Sequence, residues 1–188
     1  MKKSKLEYYV VVDVETTGVT PKDNEVIEIG AVRLAYDGKT FKKRGEYQTL
    51  IKPYRSIPHT IQNLTKITPA LVEKAPRFED IYEEFIKFIG DAVFVAHNVQ
   101  FDIQTININL NRVGGASITN YLIDSQQLVA IAYPMLSSHK LGDVARSLGI
   151  KRRQGHRALD DARVTAELFK KCLADMESLP AAVLIEIN

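Results

Sequence analysis

Tyr8-Tyr9-Val10-Val11-Val12-Asp13-Val14-Glu15-Thr16-Thr17-Gly18 is the stretch on which the fold turns. Its first five residues form an unbroken aromatic and β-branched run, the mark of a central strand covered on both faces. The run then admits two acids, Asp13 and Glu15, two positions apart. Side chains on a strand alternate faces, so both carboxylates project from the same side of the strand's end. Like charges at that range raise a pKa or demand a cation, and clustered oxygen ligands suit hard ions such as Mg²⁺ or Mn²⁺. Two solvated acids on an exposed strand end are the plainer alternative. An EF-hand loop is excluded. Counted from Asp13, its first, third and sixth positions are met by Asp13, Glu15 and Gly18, but its twelfth is Asn24 and the approach is strand-like.

Outward from this strand, further strands are expected at 25–34, 46–51, 92–96 and 121–124. The apolar period then becomes helical. Ile81, Phe85 and Phe88 share one face; so do Ile103, Ile106, Leu110 and Val113, and again Leu159, Ala162, Ala166, Phe169 and Leu173. A further helix is expected over 141–148, stopped by Gly149. Strands that come first as a meander and later alternate with helices imply an α/β fold with a mixed sheet flanked by helices.

The chain has 188 residues, 45% of them hydrophobic and 26% charged, the composition of one soluble globular domain, expected over residues 1–178 with a short tail at 179–188. The single cysteine, Cys172, excludes an internal disulfide framework or a Cys-based zinc site. No apolar run approaches the ~20 residues of a membrane span, and the start does not read as a secretion signal, so a cytoplasmic location without membrane contact is expected. Lys plus Arg total 25 against 23 acids, a net charge of +2 that does not advertise nucleic-acid binding. The distribution is more telling. Between His139 and Arg157 lie Lys140, Arg146, Lys151, Arg152, Arg153 and Arg157 against one acid, Asp143, a loop able to hold phosphates or simply a solvated surface.

Two later segments share a spacing. His97-Asn98-Val99-Gln100-Phe101-Asp102 and His156-Arg157-Ala158-Leu159-Asp160-Asp161 each place an Asp five residues after a His at the opening of an amphipathic helix. An acid in a first turn is favoured by the helix dipole, which would explain either one alone. Four carboxylates at the ends of core elements are better explained by one metal centre. Spacing does not choose between His97 and His156 as a general base. Context places His97 at the end of an apolar strand, wedged in the fold, and His156 in a polar loop free to swing over the site.

Taken in order, Asp13-x-Glu15-x-Thr17-Gly18, His97-Asn98-x-x-Phe101-Asp102 and His156-x-x-x-x-Asp161 resemble the three motifs of the DEDD exonuclease superfamily, in its DEDDh branch. Ile67-Thr68, Ala75-Pro76-x-Phe78, Ile123-Asp124-Ser125 and Ser138-His139-x-Leu141 resemble connecting elements of the proofreading exonucleases of bacterial DNA polymerase III, so that the resemblance runs from Tyr9 to Phe169. It implies a ribonuclease H-like fold with a five-stranded mixed sheet. It also implies metal-dependent 3′→5′ hydrolysis of DNA to nucleoside 5′-monophosphates, in proofreading or repair, with two Mg²⁺ or Mn²⁺ ions as cofactors. By the same resemblance Asp13 touches both ions, Glu15 and Asp161 hold the ion that activates water, Asp102 holds the other directly or through water, and His156 is the general base. The implied partners are a single-stranded 3′ end, DNA rather than RNA, and a DNA polymerase subunit. Thr16, Thr17 and Gly18 are expected near the terminal 3′-OH, and Val19, where the family usually has Leu, against the terminal base. Phe101 is expected to stack on a base or else to pack in the core, His139 to touch phosphate or else to cap the following helix, Arg152 and Arg153 to hold the backbone, and Ile67 and Asn98 to line the substrate path. The alternatives are an exoribonuclease trimming RNA 3′ ends and a non-catalytic nucleic-acid-binding module.

Overall fold

A computed structural model describes residues 7–153 and 155–177; the expected tail at 179–188 lies outside them. Five strands form one sheet: β1 (Glu7–Thr16), β2 (Val26–Tyr36), β3 (Phe41–Leu50), β4 (Val93–Ala96) and β5 (Leu122–Asp124). Their spatial order is β3-β2-β1-β4-β5, with β1–β2 and β2–β3 antiparallel and β1–β4 and β4–β5 parallel. This is the five-stranded mixed ribonuclease H-like sheet that the resemblance implied.

Seven helices accompany the sheet among the described residues: α1 (His59–Thr65), α2 (Pro69–Val72), α3 (Phe78–Ile89), α4 (Val99–Arg112), α5 (Ser125–Ala132), α6 (Leu141–Ser147) and α7 (Ala158–Glu177). The central strand divides the core by the parity of its residues. Val10, Val12 and Val14 pack on one face with Phe85 and Ile89 of α3 and Ile103, Ile106 and Leu110 of α4. Val11 faces the other way, against Leu159, Ala162, Ala166 and Phe169 of α7. Asp13 and Glu15 share the parity of Val11, so they emerge on the face that α7 covers.

The meander holds, but β3 begins five residues before the expected Glu46. Phe41–Gly45 carries Lys42, Lys43 and Arg44 on an exposed sheet edge, a pattern that blunts edge pairing and conceals the strand from a search for apolar alternation. Helix α5 was also not expected. It is only eight residues long, and its start is set by Asp124, whose side chain accepts the Gln126 N–H at 2.8 Å. No helix among the described residues is long and apolar enough to cross a membrane.

Candidate active site

Strand β1 outruns its parallel neighbour. Pairing with β4 ends at Val11 and Val95, and the Val14 N–H beyond that point donates to Asp102 Oδ1 at 3.2 Å. Asp102 stands in the first turn of α4 because β4 ends at Ala96 and the chain turns through His97 and Asn98, the latter in the left-handed region at φ 73°. The Asn98 N–H donates to Asp124 Oδ1 at 3.0 Å, tying the turn to the end of β5. Asp161 arrives from the opposite side, in the first turn of α7, its N–H donating to the Arg157 carbonyl at 3.0 Å.

One cleft of about 440 Å³ collects Asp13, Glu15, Asp102, Asp161 and His156. Ligand-competent atoms of Glu15, His156 and Asp161 lie within 4.8 Å of one another. Asp102 and Asp161 are almost fully buried, Asp13 and Glu15 partly so. Burial, followed by the charges of Asp102, Glu15 and Asp161, holds the Asp13 carboxyl well above the usual carboxylate range. Glu15 is pushed up to about 8 by burial and then by Asp161, Glu28 and Asp102. Asp102 is also pushed to about 8 by burial, against the pull of its backbone hydrogen bonds. Too many carboxylates therefore share too little water, and a cation at this point would relieve them.

Arg152 supplies one. Its Nε and Nη2 donate to Oδ1 and Oδ2 of Asp161, each at 2.8 Å, the two-pronged pairing that guanidinium and carboxylate geometry favour. The residue expected to hold a phosphate backbone therefore lines the cleft, paired there with Asp161. Arg152 and the His156 N–H both meet the Asp161 carboxylate at the start of α7, which draws the guanidinium into the cleft. Arg153 stays exposed and lines a separate depression between β2, β3 and α7. Lys140 and Arg146, also from the basic stretch, do line the cleft.

The two histidines are held differently. His97 Nε2 lies 2.7 Å from the His139 carbonyl and Nδ1 2.9 Å from Ser125 Oγ. A carbonyl only accepts, so Nε2 carries the proton and the Ser125 hydroxyl donates to Nδ1. Burial lowers the pKa of this imidazole, which is a brace between β4, α5 and the 133–140 loop. His156 is exposed, has a positive φ of 60°, and donates its backbone N–H to Asp161 Oδ2 at 2.9 Å.

The remaining expected residues divide. Phe101 and Asn98 line the cleft. Val19 is 84% exposed beside it in sequence, free to meet a ligand. Thr16 and Thr17 are buried in the strand's exit turn. The Thr16 hydroxyl donates to the Gly18 carbonyl, and Thr17 Oγ1 accepts the Glu25 N–H at 3.0 Å, so both hydroxyls serve the turn. At Gly18 a Cβ would lie 2.6 Å from Asn24 Oδ1, so a larger residue there would have to displace the Asn24 side chain. Ile67 is a correction: it is fully buried in a satellite core with Ile27, Ile57, Ile61 and Val72 and presents nothing to a substrate. His139 contributes its carbonyl to His97, while its own Nε2 is buried.

Sequence reasoning passed over Glu28. It is fully buried on β2 opposite Glu15, with its carboxylate bonded to Arg157 and to the first N–H of α7. The signal was present: Glu28 is the one acid inside the apolar run from Val26 to Leu34.

The sequence profile of the family RNase_T, described as exonuclease, matches residues 10–169. The chain is 40% identical over 173 residues to the PolC-type DNA polymerase III of Clostridium perfringens, covering 90% of this chain and 12% of that protein. The chain thus spans about an eighth of the length of that relative. Among solved structures, the nuclease domain of 3′hExo, a DEDDh family member bound to rAMP, aligns with TM-score 0.76 at 21% identity, covering 92% of this chain and 94% of that one. Escherichia coli exonuclease I in complex with a dT13 oligonucleotide aligns with TM-score 0.76 at 18% identity, covering 89% of this chain and 40% of that one.

Proposed function

The chain belongs to the RNase_T exonuclease family, and we propose that its carboxylate cleft removes nucleotides stepwise by hydrolysis from the 3′ end of a DNA strand, releasing nucleoside 5′-monophosphates. The observation that carries this reading is the convergence of Asp13 and Glu15 from β1, Asp102 from α4, and His156 and Asp161 from the start of α7 on one open cleft. Three separate segments of the chain meet there, as one catalytic centre requires and as scattered solvated acids would not.

The residues fit divalent metal. The donors are hard carboxylate oxygens, three of the carboxyls held above their ordinary pKa first by burial, and Arg152 stands in as the cation on Asp161. Asp13, Glu15, Asp102 and Asp161 would hold Mg²⁺ or Mn²⁺, which supplies charge neutralisation at the scissile phosphate and a more acidic water. The exposed imidazole of His156, close to Glu15 and Asp161, would accept the proton of the attacking water at a ring nitrogen. The backbone bond from His156 to Asp161 keeps base and carboxylate in fixed relation while the ring stays free to turn. Asp102 also accepts the Val14 N–H, which ties the end of β1 to the first turn of α4. Phe101 and the exposed Val19 offer apolar surface for the terminal bases, and Lys140 and Arg146 offer charge for the phosphates behind them. Likeness to a PolC-type DNA polymerase III supports DNA as the substrate, proofreading as the setting and a polymerase as the partner.

The test is degradation of 5′-labelled single-stranded DNA and RNA in Mn²⁺ or EDTA. A ladder shortening from the 3′ end of DNA, abolished by EDTA, is expected. Degradation of RNA alone would overturn the substrate assignment, and degradation of neither would overturn the enzymatic one.

A further inference from the structure

Glu28 is fully buried, yet its carboxylate collects donors from three residues. Oε1 accepts from Gln48 Nε2 of β3 at 2.9 Å and from Arg157 Nη2 at 2.8 Å; Oε2 accepts from Arg157 Nε at 3.0 Å and from the Ala158 N–H at 3.1 Å. Ala158 is the first residue of α7, so an acid on a neighbouring strand satisfies one of the helix's open N–H groups and its dipole. With its oxygens committed in this way, Glu28 is poorly suited to be a fifth metal ligand.

Its location explains what the bonds do. In the antiparallel register Glu28 pairs with Glu15, and Gly30, two residues on, pairs with Asp13. A Cβ on Gly30 would lie 2.1 Å from the Leu159 nitrogen and 2.2 Å from the Ala158 carbonyl carbon. The backbone of α7 therefore rests directly on β2 at Gly30, beside the strand pair that carries two of the carboxylates. Arg157, pinned by Glu28, is the residue immediately after His156, and its carbonyl accepts the N–H of Asp161.

We propose that Glu28 is a positioning residue for the hydrolytic reaction: through Arg157 and Ala158 it docks the first turn of α7 on β2, with Gly30 setting the depth, and so fixes His156 and Asp161 against Asp13 and Glu15. This rests on the reading of the cleft as an exonuclease site. Displacing catalytic groups by an ångström costs about 100-fold in rate, without the same loss in substrate binding.

The experiment measures kcat and KM for terminal-nucleotide release from single-stranded DNA by the wild type, Glu28→Gln, Arg157→Lys and the double variant, each well below its own Tm and shown folded by circular dichroism. Glu28→Gln is expected to lose about 100-fold in kcat with KM within about threefold. Arg157→Lys, which keeps the charge but not the fork, should lose less, and the double variant should lose no more than Glu28→Gln alone, because both act through one dock. If Glu28→Gln does not fold, Arg157→Lys carries the test by its own kcat against KM. An active wild type with either folded variant at wild-type kcat, or with losses that multiply, overturns the inference. An inactive wild type would instead overturn the exonuclease reading itself.

Discussion

Raising the pH of the metal-free protein should destabilise it, and adding a divalent cation should restore it. Glu15 and Asp102 titrate at about 8 in the fold against ordinary values of 4.5 and 3.8, and Asp13 lies well above its own, in each case first because burial disfavours the charged form. A raised carboxyl pKa means that the folded state binds the proton more tightly than the unfolded chain. The stability it contributes is full below the ordinary carboxylate range and is lost as pH rises toward about 8. Each such proton is worth about 1.4 kcal/mol per pH unit across that window. Counting only one proton for the coupled cluster, the rise from about pH 6 to about pH 8 removes about 3 kcal/mol, which for a chain of this size is about 6–12 °C in Tm. A cation at about 100 times its Kd returns about 2.7 kcal/mol, and more at high pH, where it no longer competes with protons. Thermal melts in EDTA and in Mn²⁺ across that pH range give the answer. A Tm flat with pH in EDTA, or a metal-induced shift that does not grow with pH, would mean that these carboxyls do not carry raised pKa values in the fold.

Arg152→Gln removes the internal cation from Asp161, so the metal-free Tm should fall by several degrees while Mn²⁺, freed of a competitor, binds more tightly by calorimetry; weaker binding would mean that Arg152 assists the metal. His156→Ala should lose about 10²–10⁴ in kcat and keep DNA affinity, whereas His97→Ala, which strands Ser125 and the His139 carbonyl, should lower Tm by an amount equivalent to about 1–3 kcal/mol; the reverse pattern would exchange their roles. Lys140→Ala and Arg146→Ala should each flatten the slope of log affinity against log salt for single-stranded DNA by about 0.7, and an unchanged slope would remove them from the phosphate path.

The central strand, the meander and the three long helices were legible because burial writes itself into apolar period. Asp13 and Glu15 were legible for the opposite reason, as charges where burial was expected. The start of β3 was not, since an exposed edge carries Lys42, Lys43 and Arg44 in place of alternation. The four carboxylates were readable one by one from their motifs, but what each touches was not. The pairing of Arg152 with Asp161 depends on how one loop folds back, and a run of basic residues does not reveal which of them turns inward. Ile67 was misplaced because a motif position says nothing of which way a side chain points, and here it points into a satellite core. Glu28 shows the converse: an acid within an apolar strand pair is legible as an anomaly, but its partners, Arg157 and Ala158, lie 129 and 130 residues away.

A single carboxylate centre is tested by release of the 3′-terminal nucleotide from 3′-labelled single-stranded DNA in Mn²⁺ by the wild type and by Asp13→Asn, Asp102→Asn and Asp161→Asn, all folded. Labelled nucleoside 5′-monophosphate is predicted from the wild type and a loss of at least about 100-fold from each variant, since all three carboxylates serve one centre. Wild-type rates in any one of the three would contradict it.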